Sequence, residues 1–149
     1  EVIREAVDRN ISVLGICLGA QLLAKALCGT VSRNAVREIG WHDVEVTEQG
    51  LQDAVLSGFA PLQEVFQWHE DGMTLPPGAD LLASSPASPV QAFRYGEHIY
   101  GFQFHLEANL PLIEGWLTVP AHQASLQVVL GCFDPVEIRV QADASIGPL

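Results

Sequence analysis

The sequence predicts an α/β domain, and three observations carry that reading. A short apolar block without alternation, Ile11 to Ile16, runs directly into a stretch of helical period from Gly19 to Leu27. Five strand-length segments then follow one another through the middle of the chain, and helical spacing returns from Leu110 onward. Strand–helix alternation at one end and consecutive strands in the middle imply a mixed sheet with an antiparallel portion in its second half.

The elements take their places in order. Glu1 to Val7 is apolar at helical spacing with no capping residue ahead of it, and the chain opens without Met, so we expect it to belong to a longer protein. Ile11-Ser12-Val13-Leu14-Gly15-Ile16 has the pattern of a strand buried on both faces, and we expect it to be central in the sheet. In the next segment Ala20, Leu22, Leu23, Ala26 and Leu27 fall at helical spacing, with Gly29 as the C-cap. Trp41–Val46, Glu64–Trp68, Leu81–Ser84, Val90–Tyr95 and Ile99–Phe104 read as strands, the last two joined by a hairpin turn at Tyr95-Gly96-Glu97-His98. Asp71-Gly72 and Leu75-Pro76-Pro77-Gly78 read as loops, and Pro120 and Pro135 interrupt the helical tail.

Composition bounds the possibilities. With 149 residues, 48% hydrophobic and 17% charged, the chain suits one packed domain spanning 1–149. Its 18 acidic and 7 basic residues give a net charge of -11, a field that repels phosphate backbones and anionic lipid heads, so nucleic acid is not an expected partner. No apolar run approaches the roughly 20 residues of a membrane span, and no secretory leader pattern is visible. Cys17, Cys28 and Cys132 form no CxxC pair, which fits a reducing cytoplasm, and Cys28 and Cys132 are expected in the core.

The chemistry concentrates at Gly15-Ile16-Cys17-Leu18-Gly19, where the buried strand turns into a helix. At such an elbow a strained backbone lifts the nucleophile clear of the sheet, and flanking glycines relieve the crowding. A thiol there faces a helix N-terminus, which is expected to lower its pKa and make Cys17 the most reactive of the three cysteines. The Leu18 N–H is placed to hold an oxyanion. Taken alone, the pentapeptide equally fits a small packed cysteine. A cysteine nucleophile needs an oriented base, and His105 has Glu107 two residues on, on the same face of a continuing strand. His69-Glu70-Asp71 lacks matching distant ligands, so no metal site is expected.

Gly15-Ile16-Cys17-Leu18-Gly19-Ala20-Gln21 and Gln103-Phe104-His105-Leu106-Glu107 resemble the two signature motifs of class I glutamine amidotransferases. Glu38-Ile39-Gly40-Trp41, Phe66-Gln67-Trp68-His69, Leu75 to Ala79, Leu82 to Ser85 and Gln91 to Tyr95 resemble intervening segments of free-standing members and of the amidotransferase domain of GMP synthase. The resemblance covers residues 1 to 116 and implies a three-layer, flavodoxin-like sandwich whose first strands, with the second oxyanion amide, precede Glu1. It implies a triad of Cys17, His105 and Glu107, substrate contacts from Leu18, Gln21 and a pocket loop at Trp68-His69-Glu70-Asp71, no cofactor, glutamine as substrate and a synthase subunit or domain as ammonia acceptor. Glu70 stands where many relatives carry glycine. Two other readings remain: a γ-glutamyl hydrolase using the same triad, and a non-catalytic subunit that keeps the fold to bind a partner.

Overall fold

The computed structural model describes residues 1–130 and 138. Six strands form one mixed sheet in the order β1-β6-β5-β4-β2-β3: β1 (Val13–Ile16), β2 (Val31–Val46), β3 (Leu62–Met73), β4 (Ala79–Ser84), β5 (Ala92–Tyr95) and β6 (Ile99–Phe102). Among the described residues only β1 and β6 run parallel, with Gly15 opposite Gly101, while the other ladders are antiparallel. The helices are α1 (Val2–Asp8), α2 (Leu18–Ala26), α3 (Glu48–Gln52), α4 (Leu110–Leu117) and α5 (Pro120–Leu130). Among the described residues, no helix is long and apolar enough to cross a membrane.

Period-2 alternation along the strands sorts their side chains to opposite faces. On one face Ile99 and Phe93 join Ala20, Leu23 and Ala24 of α2, with Ile3 and Val7 of α1 packed against them. Phe102 and Phe104 belong to a second cluster with Val44, Leu56, Leu82 and Ala92. A third gathers Ile39 and Phe66 from the long strands with Ile113 and Leu117 of α4 and Leu126 of α5. Asn109 starts α4 by accepting the Leu112 N–H at 3.0 Å, and α5 begins at Pro120, where a missing N–H costs nothing.

Several sequence expectations change. β1 lies at the sheet edge, paired only with β6 among the described residues, and Leu14 is 58% exposed, so the apolar block does not occupy a central position in this chain. Leu22 of α2 is likewise exposed. β2 begins ten residues before Trp41, because Val31–Arg33 and Glu38–Glu45 pair with β3 around a bulge. Asp71 and Gly72, expected as a loop, are the partners of Arg33 and Ser32 in that ladder. The hairpin at Gly96 holds, with Tyr95 opposite Ile99 and φ +62° at the glycine.

α2 ends differently from the expected Gly29 cap. Cys28 takes the left-handed conformation, φ +70°, and donates its N–H to Lys25 O, while the Gly29 N–H reaches back to Ala24 O at 2.8 Å. Cys28 is thereby exposed rather than in the core. Cys132 and Pro135 lie outside the described residues.

Candidate active site

Two parallel strands that end together put their following residues side by side, and β1 and β6 do this here. The Cys17 N–H donates to Phe102 O at 2.8 Å, which sets Cys17 beside Gln103, and Gln103 in turn donates its N–H to Gln91 O at 2.8 Å. Two residues later the chain has crossed toward β3, where the His105 N–H donates to Phe66 O at 2.8 Å.

Cys17 has φ +50° and ψ -109°, a strained conformation for a residue with a side chain, directly ahead of α2. A Cβ on Gly15 would meet the Gly19 carbonyl carbon at 2.7 Å and the Ala20 nitrogen at 2.8 Å, so the tight return of the helix over the strand requires glycine there. Gly19 is different from expectation: a Cβ on it would meet nothing within 4 Å. The thiol donates to Trp68 O at 3.7 Å and accepts from Gln103 Nε2 at 3.7 Å. Burial pushes the Cys17 thiol above its ordinary pKa and the Glu107 charge adds to this, outweighing the Leu18 N–H and Gln103 Nε2, which favour thiolate. The expected depression of the pKa at the helix terminus is therefore overturned by desolvation.

His105 and Glu107 meet at 2.7 Å through Nδ1 and Oε1. A carboxylate oxygen accepts, so the proton sits on Nδ1 and the lone pair is left on Nε2. That Nε2 is buried and has no hydrogen-bond partner among the described residues. The Cys17 thiol is turned to Trp68 O rather than to His105, but both side chains line one cavity of about 170 Å³ with Trp68, Trp116 and His122.

Gln21 and His69 lie off this cavity, in a buried polar chain beside it. Gln21 Nε2 donates to Asp71 O at 3.0 Å and to Gln103 Oε1 at 3.1 Å. His69 lies on strand β3 rather than on a pocket loop, its Nδ1 donating to Asp71 O at 3.0 Å and its Nε2 lying 3.2 Å from Glu38 Oε2, without the alignment of a hydrogen bond. Glu38, 4% exposed, also accepts from Ser85 Oγ at 3.0 Å and Gln91 Nε2 at 2.8 Å. Burial raises its pKa, but the His69 and Ser85 contacts and the His69 and His42 charges prevail and hold the carboxyl below its ordinary range. Glu70 turns to the β2 bulge, paired with Arg33 and with Arg37 at 3.2 Å. Among the described residues, no group of His, Cys, Asp and Glu could hold a metal ion.

Sequence reasoning missed Gln103, Trp116 and His122. Gln103 was visible inside the second motif, whereas Trp116 and His122 reach the cavity from α4 and α5, a contact no local spacing announces.

The family described as "Glutamine amidotransferase class-I" matches residues 1–112. The chain belongs to this family. It is 38% identical over 114 residues to the glutamine amidotransferase-like protein YfeJ of Salmonella typhimurium, covering 76% of this chain and 48% of that protein. Over 110 residues it is 38% identical to a glutamine-hydrolyzing GMP synthase subunit of Pyrococcus abyssi, covering 72% of this chain and 57% of that protein. The chain thus spans about half the length of these relatives. Two solved glutamine amidotransferases superpose closely. That of Thermotoga maritima gives a TM-score of 0.81 at 33% identity over 96% of this chain and 59% of the other. That of Methylobacillus flagellatus gives 0.85 at 30% identity, over 97% and 60%. The α/β fold of class I members is therefore the fold of this chain.

Proposed function

We propose that this chain hydrolyses the side-chain amide of glutamine to glutamate and ammonia through a γ-glutamyl thioester on Cys17. The observation that carries the reading is the shared cavity, in which a nucleophile on a strained elbow lies with a histidine whose tautomer is fixed by Glu107 and whose Nε2 is unclaimed. The raised thiol pKa means the resting sulfur keeps its proton, so a base must take it as attack begins. Rotation of the thiol away from Trp68 O presents Sγ–H to His105 Nε2. Sγ bonds to the carboxamide carbon while its proton passes to Nε2. The Leu18 N–H, which already favours negative charge at the sulfur, is placed for the oxyanion. His105 then gives the proton to the departing nitrogen as the C–N bond breaks, and ammonia leaves. Water adds to the thioester with its proton going to Nε2, the C–S bond breaks, and the thiol recovers the proton as glutamate forms.

Gln103 and Gln21 act beside this sequence, holding the sulfur and the strand that carries the Trp68 carbonyl. Because relatives include GMP synthase subunits, the product ammonia is assigned to a synthase subunit or domain in the cytoplasm. Ammonia release from glutamine by the purified protein and its variants tests the reading. His105→Ala is expected to lower kcat by about 10⁶ and Glu107→Gln by about 10⁴, since one removes the proton carrier and the other its orientation. Unaltered turnover in His105→Ala would remove the mechanism.

A further inference from the structure

Resting on that reading, we propose that Trp116 and His122 restrict the substrate to an unsubstituted γ-amide by walling the space into which the leaving nitrogen departs. The direction of departure follows from the proton. The leaving nitrogen is protonated by His105, so it must lie on the His105 side of the attacked carbon. Trp116 occupies that side, its ring edge-on to His105 at 4.9 Å between centroids and 70° between planes. It also packs edge-on to Trp68 at 5.5 Å, and His122 closes against Trp68 at 5.3 Å.

Two contacts hold the wall. His122 Nδ1 donates to the Trp116 carbonyl at 3.0 Å, tying α5 to the end of α4, and Phe66 backs the Trp116 ring at 6.1 Å. The resulting cavity of about 170 Å³ falls well below the roughly 300–1,000 Å³ of sites that take drug-sized molecules. An aryl or peptidyl group on the nitrogen would have to extend on the side that the Trp116 and His122 rings occupy.

Kinetics on glutamine, γ-glutamyl methylamide and γ-glutamyl p-nitroanilide test this in the purified protein. Wild type is expected to favour glutamine over the anilide by about 100-fold or more in kcat/KM, and Trp116→Ala to narrow that ratio at least about tenfold by gaining on the anilide. Trp116→Phe, which keeps a ring in place, should retain the preference, and His122→Ala should narrow it even if Trp116→Ala fails to fold. A ratio that stays unaltered in a folded Trp116→Ala or His122→Ala protein still turning over glutamine overturns the wall and leaves the glutaminase intact. Wild type that cleaves the anilide but releases no ammonia from glutamine overturns both, in favour of a γ-glutamyl hydrolase.

Discussion

At the scale of single residues, Cys17 shows how two opposing effects are weighed. The helix terminus and the Leu18 N–H favour thiolate, but burial disfavours any charge at the sulfur and wins, so the pKa rises. The sign has a direct kinetic consequence. A thiol with a raised pKa holds little thiolate near neutrality, and its alkylation rate climbs about tenfold per pH unit until pH reaches that raised value. We therefore expect the rate of iodoacetamide labelling at Cys17, followed by peptide mapping, to rise without a plateau through the neutral range, with exposed Cys28 labelled first. A plateau at Cys17 below neutral pH would show a preformed thiolate. A glutamine-shaped electrophile should reverse the order, because it is held at the cavity before it reacts. The motif residues were legible in the sequence because Cys17 sits on a strand-to-helix turn and Glu107 follows His105 by two residues, although β6 ends at Phe102 and the pair lies beyond it, in coil and turn, rather than on a continuing strand. The pKa was not, since desolvation depends on neighbours from β3 and β6 that local spacing cannot supply.

At the scale of elements, the elbow and the β2–β3 ladder hold the site from two sides. Gly15 has no room for a Cβ whereas Gly19 has nothing within 4 Å, so the two glycines that look equivalent in the sequence are not. Gly15→Ala should cost about 1–3 kcal/mol through forced backbone shift, while Gly19→Ala should leave thermal stability unchanged or raised, as alanine suits a helix better. Equal melting temperatures for both variants would contradict this packing. On the other side, Glu38 is buried, and its tertiary partners Ser85, Gln91 and His69 make that burial possible. Removing it as Glu38→Leu should cost about 3–5 kcal/mol, because those partners are left buried without it. Its depressed pKa means that the carboxylate contributes fully above the ordinary carboxylate range and that the contribution disappears as pH falls through the depressed value. The gap in melting temperature between wild type and Glu38→Gln should accordingly shrink on acidification. A gap independent of pH would show that the charge is not what stabilises. The first half of β2 escaped sequence reading for a related reason: Arg33, Asn34, Arg37 and Glu38 lack alternation, and the bulge that lets them pair is set by β3.

At the scale of the whole molecule, three apolar clusters fix the sheet between helices and bring the ends of β1 and β6 to the middle of β3, at Phe66 and Trp68. The α/β class and its mixed sheet were legible, because buried parallel strands and antiparallel hairpins leave different apolar patterns. The position of β1 was not, because the pattern of a doubly buried strand says nothing of whether its second neighbour lies in the same chain. The far lining of the cavity was equally hidden, since Trp116 and His122 come to it from the far end of the described chain. The proposed mechanism turns on one covalent event at Cys17. Acid-quenching the purified protein during turnover of glutamine and mapping it by mass spectrometry tests that event directly. A γ-glutamyl adduct is expected on the Cys17 peptide, increased in Glu107→Gln if hydrolysis slows more than acylation and absent in Cys17→Ser. Steady release of ammonia with the adduct on Cys28 or Cys132, or from Cys17→Ser, would contradict it.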